Sequence, residues 1–144
     1  MNSNSPEVSI IIRTRNEERW IAHCLEAIFN QNFDNFEVIL VDNNSTDHTV
    51  EIAKRYPIST IVRIDKFLPG RAINDGIRAS TGNYIACISA HCIPKDRQWL
   101  SSLYNSLKSN RKIAGVYGRQ LPLSFTSDAD KRDLLITFGL DKKI

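Results

Sequence analysis

The stretch FEVILVDNNSTD, residues 36–47, decides the fold. Its apolar run Val38, Ile39, Leu40, Val41 shows no polar alternation, which predicts a strand covered on both faces. The run breaks abruptly into Asp42, Asn43, Asn44, Ser45, Thr46 and Asp47. That segment offers helix N-cap chemistry, with Asn44 or Ser45 as the cap and Asp47 in the first turn. Asp42 is thereby expected at the carboxyl end of a buried parallel strand, just ahead of a helix. In open α/β sheets, ligands bind there.

Working outward, the same strand-then-polar pattern recurs. Upstream, VSIII (8–12) reads as a buried strand running into the polar cluster Arg13-Thr14-Arg15-Asn16-Glu17. Trp20, Ile21, Cys24, Leu25, Ile28 and Phe29 then recur at helical spacing, with Asn16 as the expected N-cap. Downstream, a helix over 46–56 is stopped by Pro57. A strand over 60–64 follows, then a loop carrying the Pro69-Gly70 turn signal, and a short helix over 71–79. YIACI (84–88) reads as a fourth buried strand leading into Ser89-Ala90-His91-Cys92-Ile93-Pro94. A helix over 96–107 aligns Trp99, Leu100, Leu103 and Leu107, and 113–117 reads as a short fifth strand. Strands alternating with helices predict an α/β fold, a mostly parallel sheet flanked by helices with right-handed crossovers. Residues 121–144 read differently, charge-rich over 128–133 and apolar over 134–140. With no closing element, the chain reads as the front of a longer protein.

At 144 residues there is room for one domain with a real core. The formal charge of +3 permits an anionic ligand but gives no footprint for nucleic acid, which is not expected as a partner. Cys24, Cys87 and Cys92 form no CxxC pair and fall in apolar segments. They read as buried, reduced thiols of a cytoplasmic protein. No apolar run approaches the ~20 residues that span a bilayer, and 1–6 is polar rather than signal-like.

Parallel strands deliver their carboxyl ends to one edge, so four polar clusters should meet: 14–17, 42–45, 67–74 and 89–91. No GxGxxG follows the first strand and no GxxxxGK[ST] occurs, which leaves a dinucleotide cofactor or a P-loop unsupported. Asp42 suits a ribose hydroxyl or a base N–H as acceptor. Arg71 suits phosphate oxygens as a bidentate donor. Cys87, Cys92 and His91 lack the spacing and the fourth ligand of a zinc site. Trp20 and Trp99 read as core-facing amphipathic residues.

Four segments, VSIIIRTRNEERWIAHCLEAIFNQ, FEVILVDNNSTDHTVEIA, FLPGRAINDGIRASTGNYIACIS and HCIP, resemble in order and spacing the front of family 2 glycosyltransferases. The resemblance runs over about residues 8–118. It implies the Rossmann-like A-type nucleotide-diphospho-sugar transferase fold, with 7–118 as the nucleotide-sugar-binding core and 119–144 as the start of the acceptor-side half. It further implies transfer of a sugar, usually with inversion, from a nucleotide-diphospho-sugar to a saccharide or lipid-linked saccharide acceptor. By position, Thr14, Arg15, Asn16 and Glu17 match the donor-binding end of strand one, and Asp42 with Asn44 matches the base-contacting stretch. Arg71 and Asn74 match the RxxN segment near the donor, with Gly76 after it. Ser89 and Ala90 fall in the donor-binding part of the family's Asp-X-Asp.

That last motif is where the chain departs. The family's two carboxylates hold ribose and a divalent metal, Mn²⁺ or Mg²⁺, while this chain has Ser89-Ala90-His91. His91 is the candidate metal ligand, and imidazole suits softer ions than Mg²⁺. Arg13 and Arg15 replace a proline and an aromatic, and their charge is the alternative partner for the diphosphate. The family's general base lies in the acceptor half and is expected beyond Ile144, so the 144 residues alone are expected to bind donor without completing transfer. Stretches like SAHCIP accompany bacterial surface-polysaccharide enzymes, which implies work at the inner face of the membrane with peripheral association. The rival expectations are a non-catalytic nucleotide-sugar-binding fragment and a structural interaction domain that kept the fold but not the site.

Overall fold

The computed structural model describes residues 5–66, 68–124 and 126–138. The chain divides into two compact units, 1–101 and 102–144. In the first, β1 (Val8–Thr14), β2 (Phe36–Asp42), β3 (Thr60–Arg63) and β4 (Tyr84–Ser89) form one all-parallel sheet in the order β3-β2-β1-β4. Helices α1 (Ile21–Phe29), α2 (Thr49–Ala53) and α3 (Pro69–Arg78) connect successive strands. The α/β parallel-sheet expectation holds.

Burial explains why β1 and β2 are central. Ile10, Ile11, Ile12, Val38, Ile39, Leu40 and Val41 are all fully buried or nearly so, because helices cover both faces. Each such side chain contributes roughly 1.5–3 kcal/mol on leaving water. Alternation along the strands separates the two faces. Ile11, Ile39 and Val41 cluster with Ile64 and Ala72 beneath α3. Helix α3 comes close because residue 76 is glycine: a Cβ there would lie 2.6 Å from Ile11 Cγ2 and 2.9 Å from Val41 Cγ2. Ile21, Cys24, Leu25 and Ile28 form the buried stripe of α1, which packs beside α2.

β4 corrects the sequence reading. It was expected to be buried, yet Ile85 is 37% exposed and Cys87 is exposed. The reason is position: β4 is an edge strand, so its apolar letters do not guarantee cover on both faces. Of the three thiols expected to be buried, only Cys24 is, and burial pushes it up to about 12. Trp20 and Trp99 are half-buried rather than core residues. The capping expectations also shift. Neither Asn16 nor Asn44 caps a helix; both take left-handed backbone, φ 52° and 53°. Asp47 instead accepts the Thr49 N–H at 3.0 Å, just where α2 begins.

The helix α4 (Trp99–Lys108) starts in the first unit, where Leu100 is buried and its N–H reaches Gln31 Oε1 at 2.9 Å. The second unit contains α5 (Asp128–Phe138), which has no buried residue, and a Tyr117–Phe138 ring contact at 6.1 Å. The short strand expected over 113–117 is irregular chain. Five residues with no neighbouring strand to pair with gain no ladder hydrogen bonds. Residues 1–4, Phe67 and 139–144, on which several expectations fell, lie outside the described residues. No helix among the described residues is long and apolar enough to cross a membrane.

Candidate functional site

The carboxyl ends of β1, β2 and β4 adjoin because β1 lies between the other two. In register, Thr14 faces Asp42, and Arg13 faces Val41 on one side and Ser89 on the other. Asp42 is only 2% exposed, and Ser45 bonds it from the next turn. The Ser45 N–H reaches both carboxylate oxygens at 3.3 and 3.2 Å, and Ser45 Oγ donates to Oδ1 at 2.5 Å. Ser45 Oγ in turn accepts the Asn16 N–H at 2.9 Å, and Asn16 Oδ1 accepts the Thr46 N–H at 2.8 Å. The left-handed turns at Asn16 and Asn44 make this exchange reachable, and asparagine tolerates that conformation.

A second layer ties the loop after β1 to the start of α2. Thr49 Oγ1 accepts the Glu17 N–H at 2.7 Å and donates to Asp47 Oδ1 at 2.5 Å. The Glu18 N–H reaches Asp47 Oδ2 at 3.1 Å. Burial pushes the Asp47 carboxyl up, but the bonds from Thr49 and the Glu18 N–H outweigh it and hold the group below the usual carboxylate range.

The loop after β4 joins through two side-chain contacts. Arg13 Nη2 donates to Ser89 Oγ at 3.1 Å, and His91 Nδ1 lies 2.8 Å from Glu17 Oε1. The buried Ala90 donates its N–H to the Arg13 carbonyl at 3.0 Å, which fixes the backbone between them. Two buried polar atoms at this end have no hydrogen-bond partner, Arg13 Nε and Thr14 Oγ1.

The structure therefore brings Thr14, Asn16, Glu17, Asp42, Ser89, Ala90 and His91 together, with Arg15 and Asn44 exposed on the same loops. Arg71 and Asn74 stand apart. They lie on α3, on the helix expected over 71–79; Asn74 is exposed, and Arg71 Nε is 3.7 Å from Asp75. Arg71 lines a groove of about 660 Å³ with Arg63, Asp65, Lys66, Asp75 and Arg78. Thr49 is not singled out by the sequence, and Ser45 and Asp47 are read there only as helix-capping residues. The signal for them was local: hydroxyl and carboxylate side chains three to seven residues beyond a strand-terminal aspartate.

A divalent metal does not fit the residues present. Among the described residues, no three His, Cys, Asp or Glu side chains gather closely enough to hold an ion. A carboxylate only accepts, so Glu17 places the His91 proton on Nδ1 and removes that nitrogen as a ligand. Ser89 Oγ accepts from the Arg13 guanidinium, so a cation brought to that oxygen would meet a positive charge.

Comparison with known proteins supplies the context. The chain is 32% identical over 122 residues to a dolichyl N-acetyl-glucosaminyl phosphate diacetamido-dideoxy-glucuronosyltransferase of Methanococcus voltae, covering 77% of this chain and 38% of that protein. It is 30% identical to a poly(ribitol-phosphate) β-glucosyltransferase of Bacillus spizizenii, covering 93% of this chain and 24% of that one. The chain thus spans between a quarter and two fifths of these relatives' length. A mannosyltransferase of Pyrobaculum calidifontis, solved with GDP-Man and Mn²⁺, superposes with a TM-score of 0.65 at 26% identity over 72% of this chain and 33% of that one. The model of glycosyl transferase family 2 matches residues 9–138, and the chain belongs to that family.

Proposed function

We propose that the carboxyl ends of β1, β2 and β4 bind a nucleotide-diphospho-sugar, and that the chain is the donor half of a glycosyltransferase. The observation that carries this reading is Asp42: a buried carboxylate at a central strand end, held by Ser45 of its own loop, which the loop after β1 joins through the Asn16 N–H. In this reading Asp42 accepts from the nucleoside, with Thr14, Arg15, Asn16, Glu17 and Asn44 around it, and Ser89 with Ala90 beneath the ribose and diphosphate. Arg71 and Asn74 line the donor's approach from α3. Residues 7–118 are the donor-binding core and 119–144 lead towards the acceptor side.

The chemistry is direct displacement at the anomeric carbon. An acceptor hydroxyl attacks as the C–O bond to the diphosphate breaks, and the departing diphosphate needs positive charge beside it. No residue here is assigned as the base that takes the hydroxyl proton. The lipid-linked and polymeric acceptors in these two relatives' names favour a saccharide or lipid-linked saccharide acceptor. The finer reading, our own, is bacterial surface-polysaccharide synthesis at the cytoplasmic face of the membrane. A non-catalytic donor-binding fragment is the second reading, favoured by the loss of both Asp-X-Asp carboxylates.

A thermal-shift screen of nucleoside diphosphates and their sugars tests donor binding. A ligand at a hundredfold above Kd stabilises by about 2.7 kcal/mol. A shift with at least one, lost in Asp42→Ala, is the expected result, and no shift with any of them overturns the reading. Donor hydrolysis without added acceptor separates the enzyme from the fragment.

A further inference from the structure

Arg13 is not explained by the fold. It sits two residues beyond Ile11 on β1, on the face that α3 covers, but opposite Ser89 of the edge strand. Along β4 that face is open: Cys87, in register with Ile11, is exposed, and Ile85 is 37% exposed. The guanidinium therefore reaches from a buried strand to Ser89 at the end of the edge strand. There it makes one side-chain bond, to Ser89 Oγ, and its buried Nε has no partner. A guanidinium carries five N–H donors and always a positive charge, so leaving Nε unmatched in the resting protein is costly unless a ligand supplies the acceptor.

We propose that Arg13, positioned by Ser89, is the fixed cation that holds the diphosphate of the bound nucleotide, taking the place of a divalent metal. This rests on the donor-binding reading above and specifies its electrostatics. One observation and two chemical arguments converge on it. The two residues that stand where carboxylates would recruit a cation are each occupied by a β1-side partner, Ser89 by Arg13 and His91 by Glu17. A hard divalent ion needs oxygen ligands with negative charge, and serine and neutral imidazole supply none. A divalent ion beside a guanidinium is repelled, whereas a diphosphate is attracted to the same group and matches its fork geometry. Ser89 Oγ uses a lone pair on Arg13, so its own proton remains to donate to a phosphate oxygen. The Ala90 N–H bond to the Arg13 carbonyl keeps the two from separating.

Calorimetric titration of the 144-residue chain with UDP, GDP, uridine, guanosine and inorganic pyrophosphate tests the assignment, in EDTA and then in Mn²⁺. The expected result is diphosphate binding in EDTA that Mn²⁺ changes by less than about twofold. Arg13→Gln should weaken the diphosphates and pyrophosphate about tenfold, about 1.4 kcal/mol, and leave the nucleosides unchanged. Arg13→Lys, which keeps the charge but loses the fork, should fall between the two. In Ser89→Asp paired with His91→Asp, Mn²⁺ should now strengthen UDP or GDP binding. Strengthening of diphosphate binding by tenfold or more with Mn²⁺ in the wild-type chain overturns the proposal. So does equal weakening of diphosphate and nucleoside in Arg13→Gln and Arg13→Lys, which would mark Arg13 as a structural residue. Nucleotide binding that depends on Asp42 but not on Arg13 overturns it while sparing the donor-site reading. Arg13-dependent pyrophosphate binding without nucleoside binding does the reverse. If neither pyrophosphate nor any diphosphate binds, both fall.

Discussion

The two ends of the same parallel strands both carry buried polar groups, and they handle them in opposite ways. At the amino end, Ser9 is fully buried; its Oγ donates to Glu37 Oε1 at 2.6 Å and accepts the Gly82 N–H at 2.9 Å. The same Glu37 oxygen takes the Thr81 N–H at 2.6 Å and Thr81 Oγ1 at 3.0 Å. Burial pushes the Glu37 carboxyl up, but the bonds from Ser9 and Thr81 outweigh it and hold the group below its ordinary range. At the carboxyl end, the loops are also tied to one another, yet Arg13 Nε and Thr14 Oγ1 stay unmatched. A closed network fastens strands. A network with buried donors left over retains capacity for something that is not part of the chain.

The largest expected effect breaks the closed end. A Cβ on Gly82 would lie 2.7 Å from the Ser9 backbone nitrogen and 2.9 Å from the Val8 carbonyl carbon. Backbone cannot move aside as a side chain can, so Gly82→Ala should cost about 3 kcal/mol in urea unfolding, at the upper end for overpacking. Gly76→Ala meets side-chain methyls instead and should cost less. If the two variants unfold alike, the amino end is softer than its hydrogen bonds imply.

The next effect is on binding rather than stability. Asp42→Ala should weaken nucleotide affinity by about 1.5–3 kcal/mol, the worth of a charge-assisted hydrogen bond, with the folded state retained. Calorimetry on the folded variant checks it. Unchanged affinity there would make Asp42 a loop fastener like Glu37 and erase the contrast between the ends.

How much of this was legible follows from the range of the interactions. Residues 36–47 announce a buried strand and its polar exit because the signal is local and β2 is covered on both faces. YIACI carries similar letters and misled, because sheet position is decided by partners far along the chain. The short stretch 113–117 misled for the same reason. Of the site, Thr14 to Glu17, Asp42 and Ser89 to His91 were readable as strand ends that a parallel sheet must gather. Arg71 was readable as a phosphate-pairing cation and Asn74 only by resemblance, and the ion pair of Arg71 is with Asp75 of its own helix. The Ser9–Glu37–Gly82 fastener was not readable: its members lie 28 and 73 residues apart, and a serine inside an apolar strand has no pattern to mark it. Arg13 was visible as a departure, but its bond to Ser89 spans 76 residues.

A smaller stability effect sharpens the same contrast. Ser9→Ala leaves the part-buried Gly82 N–H without its Ser9 acceptor and removes one bond from Glu37, which should cost about 1–2 kcal/mol. Thr14→Val removes a hydroxyl that has no partner and should cost little in the absence of ligand. Urea midpoints of the two variants, measured side by side, check this. A costlier Thr14→Val would mean that the carboxyl end is as closed as the amino end.

The smallest effect concerns the rim of the site, where Glu18 and His48 pair across the loop and the start of α2. Glu18 Oε2 accepts the His48 N–H at 3.0 Å and lies 2.9 Å from His48 Nδ1. The His48 backbone bond, then its ring, holds Glu18 below its ordinary 4.5. The hydrogen bond that the His48 ring donates to Glu18, then the Glu18 charge, raises His48 above its ordinary 6.5. A raised histidine contributes stability that is fully present below 6.5 and is lost as pH rises through the folded value. A lowered carboxylate contributes stability present above 4.5 and lost as pH falls through its folded value. The pair therefore works best between about pH 4.5 and 6.5 and weakens on either side. Both groups are exposed, so solvent and salt screen the attraction and the stability change should be slight. The sensitive readout is NMR titration of the His48 ring. In Glu18→Gln its midpoint should drop towards 6.5, and added salt should move the wild-type midpoint the same way. A midpoint indifferent to Glu18→Gln would show that the rim pair is not formed in solution, leaving Thr49, Asp47 and Ser45 to hold the two loops together.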